Sequence, residues 1–299
     1  MPGSLPRSPD ALGESRASSP DRPDTRGGSV DLDAIGVGFS RKAMAYDARL
    51  RTHPVDIWAR GQIRRLVVDA LRPGAAILEI NAGTGADAAY LAALGFRVHA
   101  TDIAAGMVAA IRQKIEATRS PESFTAEIRA YSQLAGVPGA PYDLVLSNFG
   151  GLNCTDSLGP VARGIAGVLR SGGLAVLVVM PPLCPWEHVQ ILRGHRATAT
   201  RRWRRGGVLA NIEGVGVRTW YHPAGRVAAA FGPDFRVREI RSLCLFAPAL
   251  LLERFPLRHP RLTRLGMWLD ERLGGLWPFR AMGDFCVITL EYRPRRPPR

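Results

Sequence analysis

The chain has 299 residues, of which 46% are hydrophobic and 22% charged, and its formal net charge at pH 7 is +14. This length suits one large domain with insertions or two small domains. No apolar run is long enough to span a bilayer, so no transmembrane segment is expected. Residues 1–35 hold few large apolar side chains and lack the apolar core of a signal peptide, which predicts a disordered N-terminal tail.

The basic charge raises nucleic acid or an anionic membrane as partners. Nearly all of the excess is arginine, spread through a chain that is also rich in alanine and glycine. Such a bias is typical of a GC-rich bacterial genome. Two clusters stand out, residues 193–205 and the basic tail 293–299. We interpret them as a solvated face and a solvated tail, so nucleic acid is not the favoured partner.

The cysteines and histidines give no sign of a metal site. The four cysteines are widely scattered and form no Cys-x-x-Cys pair, and the six histidines are equally dispersed. This usage favours reduced thiols in a cytoplasmic protein. No metal ligand is predicted.

Strands and helices of similar length alternate through the first two thirds of the chain. Two helices are predicted over residues 36–72, closed by Pro73-Gly74. The predicted strands that follow are 75–81, 97–101, 125–129, 143–147 and 174–179, and the helices between them are 84–94, 105–118 and 156–170. This order predicts an α/β fold, a parallel sheet covered by helices on both faces.

After residue 180 the pattern becomes irregular. The predicted elements are a helix at 186–193, strands within 207–221, a helix at 224–231, a strand at 235–243, two helices within 247–278 and a last strand at 284–292. Ligand crevices in such sheets lie at the carboxyl ends of the strands. We therefore expect segments 181–222 and 245–280 to be insertions that form a substrate lid with the helices of 36–72.

The most informative stretch ends the first predicted strand, with the sequence Leu78-Glu79-Ile80-Asn81-Ala82-Gly83-Thr84-Gly85. The two glycines allow a ligand to approach the backbone, because they have no side chain and tolerate a positive φ. Asp102, at the end of the second predicted strand, is placed to accept hydrogen bonds from the two hydroxyls of a ribose. The pattern therefore predicts a site for an adenosine-containing cofactor.

A dinucleotide-binding fold uses nearly the same spacing, with three glycines before a pyrophosphate. Here Asn81 and Ala86 stand at two of those three positions, although Asn81 still enters the left-handed region readily. Glu79 would place a negative charge beside the anionic pyrophosphate. The acidic residue instead suits a ligand that carries an ammonium and a sulfonium.

The glycine-containing run resembles the first motif of the class I S-adenosylmethionine-dependent methyltransferases, and further motifs follow in the family's order. They are residues 101–107 at the end of the second strand, 142–148 in the fourth, and 168–174 before the fifth, where Ser171 replaces the family's proline. The resemblance implies a doubly wound, mostly parallel seven-stranded sheet over residues 36–292, with a last strand antiparallel beside the fifth. It implies S-adenosyl-L-methionine as cofactor and points to the small-molecule, type 11-like branch.

The resemblance also implies roles for individual residues. The cofactor would contact Glu79, Asn81, Gly83, Gly85, Asp102, Ile103 and Asn148, and the acceptor would contact Tyr46 and Trp186. No catalytic residue is identified, although His188 is a candidate general base because its ordinary pKa is near neutrality. Structural alternatives stay open: Asp102 as a helix N-cap, Asn148 in a capped turn, Tyr46 in the core and His188 at the surface.

The sequence thus predicts methyl transfer to a small acceptor, lipophilic or aromatic because segment 245–280 is rich in leucine and aromatic residues. One alternative is an RNA methyltransferase, motivated by the charge and by arginine cluster 193–205, with Cys184 as a candidate nucleophile. Another is a non-catalytic cofactor-binding or membrane-surface protein, motivated by the apolar insertion beside arginines. Peripheral membrane contact is compatible with both the small-molecule and the RNA methyltransferase hypothesis.

Overall fold

The computed structural model describes residues 30–118, 121–250 and 252–295. The helices are α1 Leu32–Thr52, α2 Pro54–Ala70, α3 Ala86–Ala93, α4 Ala105–Glu116, α5 Leu158–Val168, α6 Pro185–His188, α7 Arg196–Thr200, α8 Ala224–Phe231, α9 Phe255–Arg258 and α10 Pro260–Leu273. The strands are β1 Ala76–Ile80, β2 Arg97–Asp102, β3 Phe124–Ile128, β4 Tyr142–Ser147, β5 Leu169–Val179, β6 Val208–Ile212, β7 Val215–Thr219, β8 Phe235–Leu243 and β9 Phe285–Tyr292. These bounds confirm the predicted alternation of strands and helices through β5.

The main sheet has seven strands in the order β3-β2-β1-β4-β5-β9-β8. Strands β1 to β5 are mutually parallel, whereas β9 runs antiparallel to both β5 and β8. The predicted doubly wound sheet and the position of its last strand are therefore confirmed. The strand order reverses between β1 and β4, and at such a switch point two adjacent loops diverge to opposite faces and open a crevice.

The central strands are buried on both faces, which explains their continuous apolar sequences. Every residue of β1 is buried, and its side chains alternate between two cores. Leu78 and Ile80 pack in the core beneath α5 and α8. Ile77 packs in the opposite core with residues of α2 and α3. The sheet is thus the middle of three layers, and its carboxyl edge is left to loops.

Some predicted boundaries differ from the structure. Helix α1 begins at Leu32, inside the predicted tail 1–35, because the Asp31 carboxylate caps it by accepting the Ala34 N–H at 2.9 Å. The rest of that tail, residues 1–29, and residues 296–299 of the predicted basic tail lie outside the described residues. The predicted helix 186–193 is the short α6, continued as the 3-10 helix Val189–Arg193.

The two insertions start at the carboxyl edge of the sheet, since Val179 of β5 pairs with Cys286 of β9 and Leu243 of β8 pairs with Phe285. The β6–β7 hairpin then packs on α1, and segment 245–280 packs against the end of β8 and against α2. Within the described ranges, no helix combines the length and the apolar character needed to cross a bilayer.

Candidate cofactor site

The loop between β1 and α3 is a left-handed turn that requires small residues. Asn81, Gly83 and Gly85 have φ values of 54°, 57° and 71°. At Gly85 a Cβ atom would lie 2.8 Å from Cγ1 of Ile111, and at Gly151 a Cβ would lie 2.5 Å from Cβ of Asn81. The backbone at Gly85 therefore packs on the Ile111 side chain, and the backbone at Gly151 packs on the Asn81 side chain. Neither glycine position has room for a larger residue.

Asp102 ends β2 with its carboxylate turned into the loop after β1. Its Oδ2 accepts the Gly83 N–H at 2.9 Å, and its Oδ1 accepts the Ala104 N–H at 2.9 Å. Burial raises the pKa of Asp102 to about 6, although these backbone hydrogen bonds oppose the shift. Each oxygen keeps further acceptor capacity, so the carboxylate can hold the loop and also accept from ligand hydroxyls.

Glu79 lies at the carboxyl end of β1 and is almost completely buried. Its Oε2 atom has no hydrogen-bond partner among the described residues. Burial and the nearby Asp87 carboxylate raise the pKa of Glu79 well above its ordinary value, against the opposing charge of Arg60. An orphaned buried carboxyl oxygen is costly, so this atom is a candidate to bind a ligand group.

Helix α2 adds two arginines to the site. Arg60 and Arg64 both bind the Asp87 carboxylate at the start of α3, the second through Nε at 2.7 Å from Oδ1. The amide nitrogen of Asn148 donates to Oδ2 of the same carboxylate at 2.8 Å. Asp87 thus fixes the position of the buried Arg60 guanidinium and of Asn148 at the end of β4.

Phe149 follows Asn148 in an unusual conformation. Its φ is 44°, a region that bulky residues rarely adopt and that is frequent at functional sites. The Arg60 guanidinium lies 4.5 Å from the centre of the Phe149 ring, and that ring meets Phe285 edge to face at 5.3 Å. The strained backbone is therefore supported by packing on both sides of the ring.

Most of these residues line one cleft at the carboxyl edge of the sheet. It encloses about 720 Å³ of empty space, the solvent at its mouth included. Its remaining walls come from α1, the start of α4, and the loops after β3 and β4, through Ile35, Phe39, Tyr46, Ile103, Met107, Tyr131 and Cys154. Helix α1 thus crosses the glycine loop.

Most of the predicted site residues are brought together here. Glu79, Asn81, Gly83, Asp102, Ile103, Asn148 and Tyr46 all line the cleft. Gly85 does not line it and instead allows α3 to pack on Ile111. The structural alternative also holds for Asn148, whose Oδ1 accepts the Phe149 N–H at 2.9 Å. It does not hold for Asp102, because the N-cap of α4 is Ala104 and Asp102 binds the backbone N–H of that cap residue rather than of the helix.

Trp186 and His188 do not reach the cleft, contrary to the expectation that they lie over it. The Trp186 ring packs on Phe255 at 5.3 Å, and the His188 ring stacks on Trp203 at 4.9 Å. None of the described residues within 181–222 or 245–280 lines this cleft. The insertions leave the sheet beside the site, at β5, β8 and β9, rather than above β1 and β4.

The sequence did not identify Arg60, Asp87 or Phe149 as site residues. Asp87 lies in the first turn of α3, just after the glycine loop. An acidic residue is common at a helix start, so its presence there did not indicate a site residue. Arg60 lies 27 residues before its partner Asp87, so no local pattern connects the two. A positive φ at Phe149 leaves no mark on the sequence.

Cys184, Glu187 and Asp284 place three potential metal-ligand atoms within 4.8 Å of one another. The Arg202 guanidinium occupies that position, with Nη2 2.7 Å from Oε1 of Glu187 and 2.6 Å from Oδ1 of Asp284. This arginine bridge explains the cluster as a buried ion pair. Burial raises the pKa of Cys184 to about 12, so its thiol is a poor candidate nucleophile.

Comparison with known proteins agrees with this geometry. Residues 77–173 match the model of a family described as a methyltransferase domain. A protein-L-isoaspartate O-methyltransferase from Methylorubrum populi is 33% identical over 114 residues, which are 38% of this chain and 49% of that protein. The chain therefore spans about half the length of this curated relative.

Solved structures share the fold at low sequence identity. A TehB-like S-adenosylmethionine-dependent methyltransferase from Corynebacterium glutamicum is 14% identical with a TM-score of 0.52, over 85% of this chain and 98% of that one. The CcbJ methyltransferase from Streptomyces caelestis is 15% identical with a TM-score of 0.50, over 81% and 91%. Residues 77–173 are thus similar to a methyltransferase domain, and the chain shares the fold of these solved methyltransferases.

Proposed function

We propose that this protein transfers the methyl group of S-adenosylmethionine to a small lipophilic or aromatic acceptor bound in the cleft. The observation that carries the proposal is the charge arrangement around the cleft. Asp102, Glu79 and Arg60 lie on different elements and all line it. They match, in turn, a ribose diol, an ammonium and a carboxylate, which are the polar groups of this cofactor.

The residues fit the cofactor in detail. Asp102 and the Gly83 backbone would hold the ribose, and Ile103 and Met107 would face the adenine. The orphaned Oε2 of Glu79 would receive the ammonium, and Arg60 would face the carboxylate. A pyrophosphate would instead meet Glu79 and Asp87 close to the loop, a repulsive arrangement. When bound, the cofactor supplies an electrophilic methyl group on a sulfonium.

The chain's own contribution to the reaction would be orientation and exclusion of water. Helix α1 covers the loop, with a Tyr46 ring carbon 3.9 Å from the position of a Cβ at Gly83. Thr84 donates to the Asp47 carboxylate, which also accepts from Nζ of Lys114 at 2.6 Å, so α1 is tied to both sides of the site. No histidine lines the cleft among the described residues, and the acceptor would have to bring a nucleophilic atom that needs no histidine base.

The acceptor class rests on the cleft rather than on segment 245–280. Phe39, Tyr46 and Phe149 provide an aromatic lining beside the polar groups. A covering helix favours a small acceptor over a folded RNA, which would need an open surface. The RNA alternative keeps the basic charge as its only support.

Calorimetric titration tests the cofactor. The purified protein is titrated with S-adenosylmethionine, S-adenosylhomocysteine and NAD, beside Asp102→Ala and a control, Asp69→Ala, at an exposed position on α2. We expect the first two ligands to bind, Asp102→Ala to abolish that binding and Asp69→Ala to retain it. Binding of NAD alone would contradict the proposal.

Transfer of a radiolabelled methyl group tests the acceptor. The labelled cofactor is incubated with the protein and either an organic-solvent extract of cells or total RNA. We expect label in the organic phase, lost with Asp102→Ala. Label in RNA would replace the small acceptor with the RNA alternative, whereas cofactor binding without transfer to any fraction would favour a non-catalytic role.

A further inference from the structure

Helix α10 leaves three large apolar side chains exposed to solvent. Its inner side is formed by Thr263, Gly266 and Asp270, all buried. Leu262, Leu265 and Trp268 follow one another at three-residue spacing on the outer side and are 57%, 51% and 51% exposed. A surface helix of a globular protein normally turns its apolar side inward. In α10 Met267 packs against the core, but these three large exposed side chains lie on the solvent side instead.

This orientation is fixed by close packing. The Asp270 carboxylate accepts the backbone N–H groups of Leu245, Phe246 and Ala247 at 3.0, 3.2 and 2.9 Å. At Gly266 a Cβ atom would lie 2.5 Å from the Phe246 carbonyl oxygen, so the helix backbone touches the protein there. Rotating α10 to bury its leucines would break these bonds and create a steric clash. These contacts therefore hold the apolar side of α10 exposed to solvent.

The apolar exposure extends beyond the helix. Leu257 and Trp277, on either side of α10, are 70% and 81% exposed. Contact between Trp186 and Phe255 joins this region to the 3-10 helix after α6, where Val189, Ile191 and Leu192 are also exposed. Exposed apolar side chains concentrated in one part of a protein in this way are typical of an interaction site.

The same segment is strongly basic. Within residues 252–280 six arginines are exposed, namely Arg254, Arg258, Arg261, Arg264, Arg272 and Arg280. The acidic residues there are Glu253, Glu271 and the buried Asp270, and Glu271 already accepts hydrogen bonds from Trp58 and Gln62. Arg272 lies 5.5 Å from the Trp268 ring. Arginines beside exposed leucine and tryptophan are the composition of a helix that lies in a membrane interface.

We propose that the outer surface of segment 252–280 binds the surface of an anionic phospholipid bilayer. The leucine and tryptophan side chains would enter the boundary between headgroups and acyl chains, and the arginines would contact lipid phosphates. RNA would also attract the arginines, but it would leave the leucines exposed. The inference does not depend on methyl transfer, since no described residue of this segment lines the cleft.

The position of the surface gives it a role beside the cleft. Segment 252–280 leaves the sheet where β8 ends and returns where β9 begins, at the carboxyl edge that also holds the cleft. Phe149, in the cleft wall, packs on Phe285 at the start of β9. A bilayer on this surface would therefore lie along the same edge of the sheet as the cleft.

Vesicle flotation of the full chain tests the proposal at low ionic strength. The vesicles are phosphatidylcholine alone or equimolar phosphatidylcholine and phosphatidylglycerol. We expect flotation only with the anionic vesicles, and at least a tenfold weaker partition for the double variant Leu262→Gln, Leu265→Gln. The control Leu94→Gln changes a leucine that is 49% exposed after α3, near the opposite edge, and should float as the unaltered chain does.

The arginines are tested in the same way. Arg261→Gln with Arg264→Gln should weaken partition about fivefold for each arginine, whereas Arg236→Gln at the start of β8 should not. A thermal unfolding midpoint equal to that of the unaltered chain checks that each variant folds. Failure to float with anionic vesicles overturns the proposal. Binding of transfer RNA, or a dimer that the leucine variant dissociates, would then identify a different partner for this surface. Flotation that the leucine substitutions leave unchanged also overturns it.

Discussion

Protonation of Asp102 should weaken cofactor binding as the pH falls. Its carboxylate is the group proposed to accept the two ribose hydroxyls, and burial raises its pKa to about 6. Both oxygens already accept a backbone N–H, from Gly83 and from Ala104. A proton on either oxygen would convert an acceptor into a donor and leave too few acceptors for the two hydroxyls. The affinity should therefore titrate with this one carboxyl group.

The size of the effect follows from the pKa. With a pKa of about 6, roughly nine tenths of the carboxyl groups carry a proton at pH 5 and about one hundredth at pH 8, so affinity should fall about tenfold, or ~1.4 kcal/mol. Acid unfolding through this group would not explain the loss of affinity at low pH. Because the folded pKa lies above the ordinary value, the folded state binds the proton more tightly, and this group stabilises the fold as the pH falls from about 6 towards 4.

Calorimetric titration with S-adenosylhomocysteine from pH 5 to pH 8 measures the effect. Asp102→Asn should bind more weakly at every pH and should lose the step near pH 6. His99→Gln is the control for the other titratable group on β2, whose pKa burial lowers below its ordinary value, and it should keep the step. An affinity that does not change with pH, or a step that Asp102→Asn retains, would refute the reasoning.

Three further substitutions test how the site and its surroundings are held. Gly85→Ala should reduce the free energy of unfolding by about 2–4 kcal/mol, because it adds a steric clash to a left-handed φ. The control Gly95→Ala has open space around it and should reduce it by only about 1–2 kcal/mol. Urea denaturation compares the two variants. Asp87→Asn should destabilise the fold by about 3 kcal/mol and weaken S-adenosylhomocysteine binding, because it leaves the buried Arg60 uncompensated, and unchanged affinity would separate Arg60 from the site. Arg202→Ala should cost about 3–5 kcal/mol in the same denaturation assay, because the buried Asp284 carboxylate loses its arginine partner and Glu187 keeps only Arg201. The exposed Arg204→Ala should cost less than about 0.5 kcal/mol, and equal losses would contradict the buried ion-pair interpretation.

The part of the site that the sequence predicts is the part built from strand ends. Glu79, Gly83 and Asp102 are each defined by a short apolar run and the residue that follows it, and parallel strands bring such residues to one edge. Arg60 enters from a helix that is separate in sequence, and its role depends on Asp87 across 27 residues. That pair became visible only when α2 and α3 were packed together. Local spacing therefore predicts the backbone of the site but not the charges that balance it.

The described residues of segment 245–280 do not line the cleft, and the sequence could not show this for a different physical reason. The leucines of segment 245–280 indicated an apolar face, and the expectation was that this face covers the cleft. Periodicity shows that a helix has two unlike sides, but it does not show which side faces the protein. In α10 that choice is made by Gly266, which permits backbone contact, and by Asp270, which satisfies three backbone N–H groups of the preceding loop. Those contacts outweigh the burial of three exposed apolar side chains within a monomer. Leaving leucine and tryptophan in water while a carboxylate is buried is favourable only when something apolar covers the outer side. The vesicle experiment therefore tests the reason for this packing of α10 as well as the identity of the partner.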